Sequence, residues 1–210
     1  MVPKPPAALG LVNPWPLEKN RELHRIYDES FAANSFNPCL GRPTRFAPIR
    51  SKGKCIASMY AGETFECAVF ETIFHDVPVN AKLKVVLLKD IAGRAYGVLK
   101  LKRTLLLGAL FTPDLKTLGL KRAQLIDAAA KWYLETARWA EAIHAQYHDL
   151  DGLVWTSRQC DPNVAFLFYG DRVRSSDLAE KSSPISVRHS ATLLKSIRAF
   201  GSRAGITIVS

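Results

Sequence analysis

Residues 121–147 carry the most regular hydrophobic pattern of the 210-residue chain. Steps of three and four residues separate Leu125, Ala128, Trp132, Thr136, Trp139 and Ile143. This spacing is typical of one face of an α-helix, so it predicts an amphipathic helix of about 25 residues. Such a helix buries its apolar face against another layer of structure, and we therefore interpret Trp132 and Trp139 as core residues.

Shorter patterns flank this helix on both sides. A helix is predicted over 63–75, with Thr64 as its N-cap, and another over 190–200. Strands are predicted at 24–27, 55–60, 82–89, 152–155, 163–169 and 206–209, whereas 98–107 fits a strand or a loop. Because no repeat or linker divides the chain, the pattern favours one mixed α/β domain of the α+β type over 19–210. A proline-rich, extended segment is predicted at 1–18.

Neither the N-terminal sequence, the apolar runs nor the cysteine spacing favours a secreted or membrane protein. Five prolines within the first sixteen residues disfavour a signal helix, and no apolar run reaches the roughly 18 residues of a membrane span. We therefore expect a cytoplasmic protein without membrane contact. The cysteines form no C-x-x-C pair, so four thiols are expected rather than two disulfides. His144 and His148 lack the glutamate of an H-E-x-x-H motif, and no metal site is predicted.

The formal net charge is +10, which indicates an anionic partner: nucleic acid, a phosphate-bearing small molecule or an acidic protein. Part of this charge lies in and just after an irregular loop at 34–48. No acidic residue occurs from Pro38 to Gly62. Guanidinium groups in such a loop suit phosphate oxygens, although a solvated basic loop is the simpler interpretation. The basic residues of this stretch are Arg42, Arg45, Arg50, Lys52 and Lys54.

Two further features are candidate site residues. Glu71 falls about 200° around the predicted helix from Val69, off the apolar face, where an exposed glutamate is the ordinary interpretation. The polar run at 155–159 follows a buried strand, a position typical of site residues and also of turns. The chain has no G-x-G-x-x-G, P-loop or G-x-S-x-G motif, so nothing supports a Rossmann, P-loop or α/β-hydrolase mechanism.

These segments, taken in order, carry a resemblance to a known family. HRIY contains Arg25, GRPTRF contains Arg45, and SMYAGETFECAVFE contains Tyr60 and Glu71; DGLVWTSRQ with Ser157 and the strand NVAFLFY follow. In order and spacing, this set over about residues 20–172 resembles the RES-domain family, named for Arg, Glu and Ser. The resemblance implies an ADP-ribosyltransferase-like fold, with a split mixed β-sheet flanked by helices.

The resemblance also implies a function. RES proteins are bacterial toxins that consume NAD⁺ by hydrolysis, phosphorolysis or ADP-ribosyl transfer. An Xre-type helix-turn-helix antitoxin neutralises them, and DNA would be contacted only through that antitoxin. NAD would be a substrate, no metal would be needed, and a homodimer is left open.

The resemblance assigns roles to individual residues. Glu71 would stabilise an oxocarbenium-like transition state. Ser157 would hydrogen-bond a ribose or phosphate oxygen and count, with Glu71 and Arg25, among the catalytic residues. Tyr60 would stack on the nicotinamide ring, and Tyr27, on the strand face of Arg25, would also contact NAD.

The arginines are assigned to the pyrophosphate of NAD. Arg25 and Arg45 would hold it through charge-assisted hydrogen bonds. Many relatives read Gly-Arg-Trp-Asn in the loop where this chain reads Thr-Arg-Phe-Ala, so Arg42 and Arg45 both stay candidates for the loop arginine. Arg45 is preferred because an aromatic residue follows it.

A basic nucleic-acid-binding or protein-interaction module without enzymatic activity is the alternative. From Asp171 to the last residue, the chain has seven basic and three acidic residues. No helix-turn-helix, zinc-finger or RNA-recognition signature accompanies this charge.

Overall fold

The computed structural model describes residues 1–78 and 80–210. Among these residues, the longest helix has 14 residues, and no helix is both long and apolar enough to cross a bilayer. The helices are α1 (Phe65–Thr72), α2 (Leu88–Ile91), α3 (Thr112–Thr117), α4 (Arg122–Leu125), α5 (Tyr133–Gln146) and α6 (Ala191–Arg203). The strands are β1 (Pro14–Leu17), β2 (Glu22–Asp28), β3 (Ile49–Ser51), β4 (Lys54–Ile56), β5 (Ser58–Gly62), β6 (Val85–Leu87), β7 (Arg94–Leu101), β8 (Leu105–Ala109), β9 (Gly152–Thr156), β10 (Val164–Tyr169), β11 (Leu178–Glu180), β12 (Ile185–Ser186) and β13 (Thr207–Val209).

One mixed sheet organises these elements. Its strands follow the order β1, β8, β9, β10, β5, β2, β7 and β11, and β12 also pairs with β7. The β8–β9 pair is parallel, whereas the other neighbours are antiparallel. Each face of the sheet carries a cluster of buried apolar side chains, and one of these clusters includes apolar residues from α1, α5 and α6. The single mixed α/β domain predicted from the sequence is therefore confirmed.

The sheet is nearly interrupted between β2 and β5. These strands pair only at His24 and Gly62, and beyond this point they separate. The Arg25 side chain bridges the gap by donating from Nε to the Tyr60 carbonyl oxygen over 3.0 Å. The loop at Asn37 pairs instead with the start of β5. Side chains and a loop thus satisfy backbone groups that a continuous ladder would have paired, and they leave an opening in the sheet.

The long helix predicted over 121–147 is wrong in its first half. The chain forms the short α4, leaves the helix at 126–129, makes a 3₁₀ turn at 130–132 and only then enters α5. Tertiary contacts explain the break. The Ala128 carbonyl accepts a hydrogen bond from the Arg158 side chain over 3.4 Å, and Arg122 donates to the Thr156 carbonyl over 3.1 Å. Trp139 is buried, whereas Trp132 is half-buried.

Other predicted elements need smaller corrections. The strand expected at 55–60 is divided at Ala57 between β4 and β5, because the Ala57 carbonyl accepts from Gly170 while the chain passes from a hairpin to the main sheet. Within 82–89 only β6 is extended, since its partner β13 has three residues, and α2 begins at Leu88. The stretch 98–107 contains the end of β7, a turn and the start of β8. Helices α1 and α6 confirm the other two helical patterns, with side-chain caps from Thr64 and Ser190.

The proline-rich start packs against the domain. The Trp139 indole donates to the Pro3 carbonyl over 2.7 Å, and the Tyr147 hydroxyl donates to the Gly10 carbonyl over 2.7 Å. Both aromatic residues come from α5 or its C-terminal cap. The segment then enters β1 at the edge of the sheet, beside β8.

The expectation of four thiols is wrong for one pair. The β3–β4 hairpin brings Cys55 against the loop at 34–48, where it forms a disulfide with Cys39 across a Cα–Cα distance of 6.2 Å. Cys67 and Cys160 are free and buried. The sixteen-residue separation has no recognised spacing, so this pairing could not be predicted without the hairpin.

Gly152 is a position at which a side chain cannot be accommodated. A Cβ built there would lie 2.0 Å from the Leu167 carbonyl oxygen. Gly152→Ala is expected to lower the free energy of unfolding by about 2–3 kcal/mol, and the Tm by about 4–12 °C. Gly93→Ala is the matched control, because nothing lies within 4 Å of a Cβ at that position. Equal unfolding curves for the two variants would contradict the prediction.

Candidate active site

A cleft of about 460 Å³ opens where β2 and β5 separate. Arg25 and Tyr27 from β2, Tyr60 from β5 and Glu71 from α1 line it, and the loop at 34–48 forms its outer wall. Arg45 and Ser157, which the sequence also indicated, lie behind this surface. Residues that are far apart in the sequence therefore meet at one place.

Glu71 is the carboxylate of the cleft. Its side chain is 7% exposed, at the C-terminal end of α1. Oε1 accepts a hydrogen bond of 2.6 Å from Ser157 Oγ, and Oε2 lies 3.4 Å from Arg45 Nη1. The ordinary interpretation of Glu71 as an exposed helical residue is thus incompatible with the structure. An arginine, a glutamate and a serine are in direct contact at the cleft wall.

The two loop arginines occupy different positions. Arg45 is 1% exposed, and its carbonyl oxygen accepts a hydrogen bond from the Thr136 hydroxyl of α5. Its Nε has no partner among the described residues. Arg42, by contrast, is exposed and lines the cleft. Arg45 therefore supplies charge behind Glu71, while Arg42 faces the space that a ligand would fill.

Ser157 holds Glu71 from behind. It directly follows β9, is fully buried and donates from its hydroxyl to Glu71 while accepting from the Cys160 backbone N–H over 3.2 Å. Its own N–H donates to the Asn163 carbonyl over 2.8 Å. The hydroxyl is fully engaged and does not line the cleft, so its geometry suits orienting the carboxylate.

Arg25 fastens the cleft loop to the sheet. Besides Tyr60, its guanidinium donates to the carbonyls of Ala33 and Ser35, the latter over 3.1 Å. It lies 5.3 Å from the centroid of the Tyr27 ring. Burial lowers the pKa of Arg25 to about 10, so the guanidinium is charged at neutral pH. Nη2 has no protein partner among the described residues and is available to an anion.

Two tyrosines provide the flat surfaces of the cleft. The Tyr60 hydroxyl accepts from the Phe46 N–H over 3.0 Å and lies 2.9 Å from the Thr44 hydroxyl. Burial raises the pKa of Tyr60 to about 12, so this phenol stays neutral at physiological pH. Burial also raises the pKa of Tyr27. The hydroxyl of Tyr27 has no partner among the described residues.

Sequence reasoning missed a polar group beside Glu71. His75 and Asp76 also line the cleft, with His75 Nδ1 at 2.9 Å from Asp76 Oδ1. The Tyr133 hydroxyl of α5 lies 3.3 Å from the His75 ring nitrogens. The hydrogen bond from His75 lowers the pKa of Asp76. The four-residue step from Glu71 to His75 was a usable signal, because it places both on one face of the helix predicted over 63–75. In the structure α1 ends at Thr72, and His75 lies in the turn that follows.

The aspartate of the DGLVWTS segment has a structural role. Asp151 accepts two hydrogen bonds from Arg103, of 2.8 and 2.9 Å, and a third from the Leu106 N–H over 2.9 Å. It thereby ties the start of β8 to the start of β9. This contact positions the strand that ends at Ser157.

Comparisons with known proteins agree with this architecture. A crystal structure of the M. tuberculosis MbcT–MbcA toxin–antitoxin complex contains a chain with a similar fold, at a TM-score of 0.58 and 14% identity over 88% of this chain and 92% of that one. No significant match is found among curated protein sequences. The sequence profile of the RES domain matches residues 22–186, a range that includes the cleft residues and the arginine, glutamate and serine that meet there. This chain belongs to the RES-domain family.

Proposed function

We propose that this protein is the toxin of a toxin–antitoxin pair and that it cleaves the nicotinamide–ribose bond of NAD⁺ in the cleft between β2 and β5. One observation carries the proposal: the carboxylate of Glu71 is fixed at the cleft wall by Ser157 and Arg45. Membership of the RES-domain family and the fold shared with a chain from a toxin–antitoxin complex support it.

Glu71 suits the chemistry of this bond. When the bond breaks, its electron pair goes to the pyridinium nitrogen, neutral nicotinamide leaves, and positive charge develops on the ribose. A carboxylate already held in place stabilises that charge without reorganising, and it can accept a hydrogen bond from a ribose hydroxyl. An acceptor then adds to the anomeric carbon and loses its proton. Arg45 offsets part of the cost of burying Glu71.

Three cationic side chains suit the pyrophosphate. The buried Arg25 with its free Nη2, the exposed Arg42 and the half-buried Arg94 all line the cleft. Guanidinium groups bind phosphate oxygens through paired, charge-assisted hydrogen bonds. In this assignment Arg45 acts as a positioning residue for Glu71. Arg42 instead makes the phosphate contact that the sequence analysis assigned to Arg45.

The aromatic rings suit the nicotinamide. Tyr60 is anchored at its hydroxyl by Thr44 and Phe46, and its ring lies 6.1 Å from that of Trp155 in an edge-on arrangement. A ring held at both sides offers a fixed apolar wall for stacking. Tyr27 offers a second ring next to Arg25.

The antitoxin is proposed to cover the cleft. Phe31 and Leu40 are exposed at its mouth, although both are large and apolar. Exposed apolar side chains beside a polar cleft are typical of a protein-binding surface. An Xre-type antitoxin that inserts a segment near Arg25 would bury them and exclude NAD⁺.

The test is to incubate the purified protein with NAD⁺ and identify the products by chromatography and mass. We expect free nicotinamide. ADP-ribose beside it would mean hydrolysis, a phosphate-dependent product would mean phosphorolysis, and a mass increase on a protein would mean ADP-ribosyl transfer. NAD⁺ that stays intact with phosphate and with cell extract would overturn the proposal.

A further inference from the structure

A second concave surface lies apart from the cleft. It is an open groove of about 1110 Å³, bordered by the N-terminal segment, the β3–β4 hairpin, α5 and the turn after β10. It shares no lining residue with the cleft. Nothing in the proposed chemistry uses it.

The groove collects part of the basic stretch that the sequence analysis singled out. Arg42 lines the cleft and Arg45 is buried behind it, but Arg50 and Lys52 lie in the groove, where Lys4 and Arg138 join them. The stretch therefore serves two separate surfaces, because β3 turns the chain away from the cleft after Ile49.

Five basic side chains line this groove, of which Arg172 is half-buried and donates to three backbone carbonyls. Lys4, Arg50, Lys52 and Arg138 are exposed, and none forms an ion pair with the described residues. Two carboxylates also line the groove, and each has a hydrogen-bond partner. Glu141 accepts from the Arg50 backbone N–H over 2.8 Å, and Asp171 lies 2.9 Å from His144 Nε2. With five basic side chains against two carboxylates, the groove has an excess of positive charge.

The lining indicates which kind of anion would bind. Protein interfaces usually need a central apolar or aromatic anchor, yet none of the exposed large hydrophobic residues of the described chain lines this groove. Single-stranded nucleic acid is usually bound by stacking on aromatic rings, and no aromatic side chain other than histidine lines it. Charge without anchors or stacking surfaces fits a regular array of phosphates.

We propose that this groove binds the phosphate backbone of a nucleic-acid duplex without reading its sequence. The inference goes beyond the proposed NAD⁺ cleavage. It also differs from the arrangement that the family resemblance implies, in which only the antitoxin contacts DNA. The toxin would add its own phosphate contacts to those of a DNA-bound partner.

The experiment measures the affinity of the full-length protein for labelled 20-base-pair DNA and RNA duplexes of mixed sequence, as a function of salt. Four phosphate contacts predict a slope of log K against log[salt] of about −3.6 for B-DNA. Arg50→Ala with Arg138→Ala is expected to lower that slope to about −2 and the affinity at low salt at least about tenfold. Arg50→Ala keeps the backbone contact to Glu141, so the hairpin stays docked.

Lys195→Ala with Arg198→Ala is the matched control. It removes the same charge from the exposed face of α6, and we expect less than about a twofold change in affinity. Binding to either duplex supports the proposal, and the duplex that binds more tightly shows whether the ligand is DNA or RNA. Equal losses in both double variants would overturn it in favour of general attraction to a basic protein. Tighter binding of oligo-dT, or binding of a Glu/Asp-rich peptide in place of the duplexes, would also overturn it.

The groove and the cleft can be tested separately. The groove variant is expected to cleave NAD⁺ at the wild-type rate, because its residues do not line the cleft. Loss of duplex binding with cleavage intact, or the reverse, distinguishes failure of one proposal from failure of the other.

Discussion

Glu71→Gln is expected to lower kcat/KM for NAD⁺ cleavage by at least about 100-fold, since the negative charge that faces the developing cation is removed. Glutamine has nearly the same shape, and its amide oxygen can still accept from Ser157, so the cleft keeps its form. The initial rate of nicotinamide release measures the effect. Circular dichroism and thermal unfolding show whether the variant is folded.

Glu66→Gln is the control on the same helix. This substitution makes the same chemical change outside the cleft, at a residue whose carboxylate pairs with Arg203 over 2.6 Å. A surface ion pair of this kind contributes at most about 1 kcal/mol, and we expect wild-type cleavage. A folded Glu71→Gln protein that cleaves NAD⁺ as fast as the Glu66→Gln protein would show that Glu71 is not catalytic.

Arg45→Met is expected to produce the largest loss of stability, about 3 kcal/mol of unfolding free energy, or about 6–12 °C in Tm. Methionine fills much of the arginine volume but leaves the Glu71 carboxylate buried without its cationic neighbour. Combining Arg45→Met with Glu71→Gln removes the unpaired charge, and we expect the double variant to recover part of that stability. Denaturant unfolding of the four proteins gives the coupling energy.

The activity of the double variant tests the same contact independently. It should remain inactive toward NAD⁺ although it is more stable than Arg45→Met. Losses of stability that simply add would contradict the pairing of Arg45 with Glu71. Recovered stability together with recovered cleavage would contradict the catalytic role of Glu71.

The sequence was sufficient to predict which residues form the site, but not which of them line the cleft and which are buried behind it. Arg25, Tyr60 and Glu71 were predicted as site residues, and all three line one cleft. The burial of Arg45 and Ser157 behind it was not predictable, because an arginine in a Gly/Pro-rich loop is ordinarily exposed. The arginine is held in the interior by contacts of its loop with distant residues, namely the Thr136 hydroxyl of α5 and the Tyr60 hydroxyl.

The fold shows the same limit. Local signals were sufficient for α1 and α6, which have side-chain caps, and for the buried strands β9 and β10. They failed at 121–147, where the apolar period continues through the break at 126–129. That break depends on Arg158, about 30 residues away in the chain, and helix propensity does not register such contacts.

The near-interruption between β2 and β5 makes the cleft a seam between two lobes of the sheet. One lobe contains β1, β8, β9, β10 and β5, the other contains β2, β7, β11 and β12, and one backbone pair joins them. Arg25 extends from the second lobe to the Tyr60 carbonyl of the first. A molecule that contacts both lobes in the cleft therefore connects the two parts of the sheet. Binding of substrate or antitoxin would therefore stabilise the association of the two lobes, because a ligand stabilises the state that it binds.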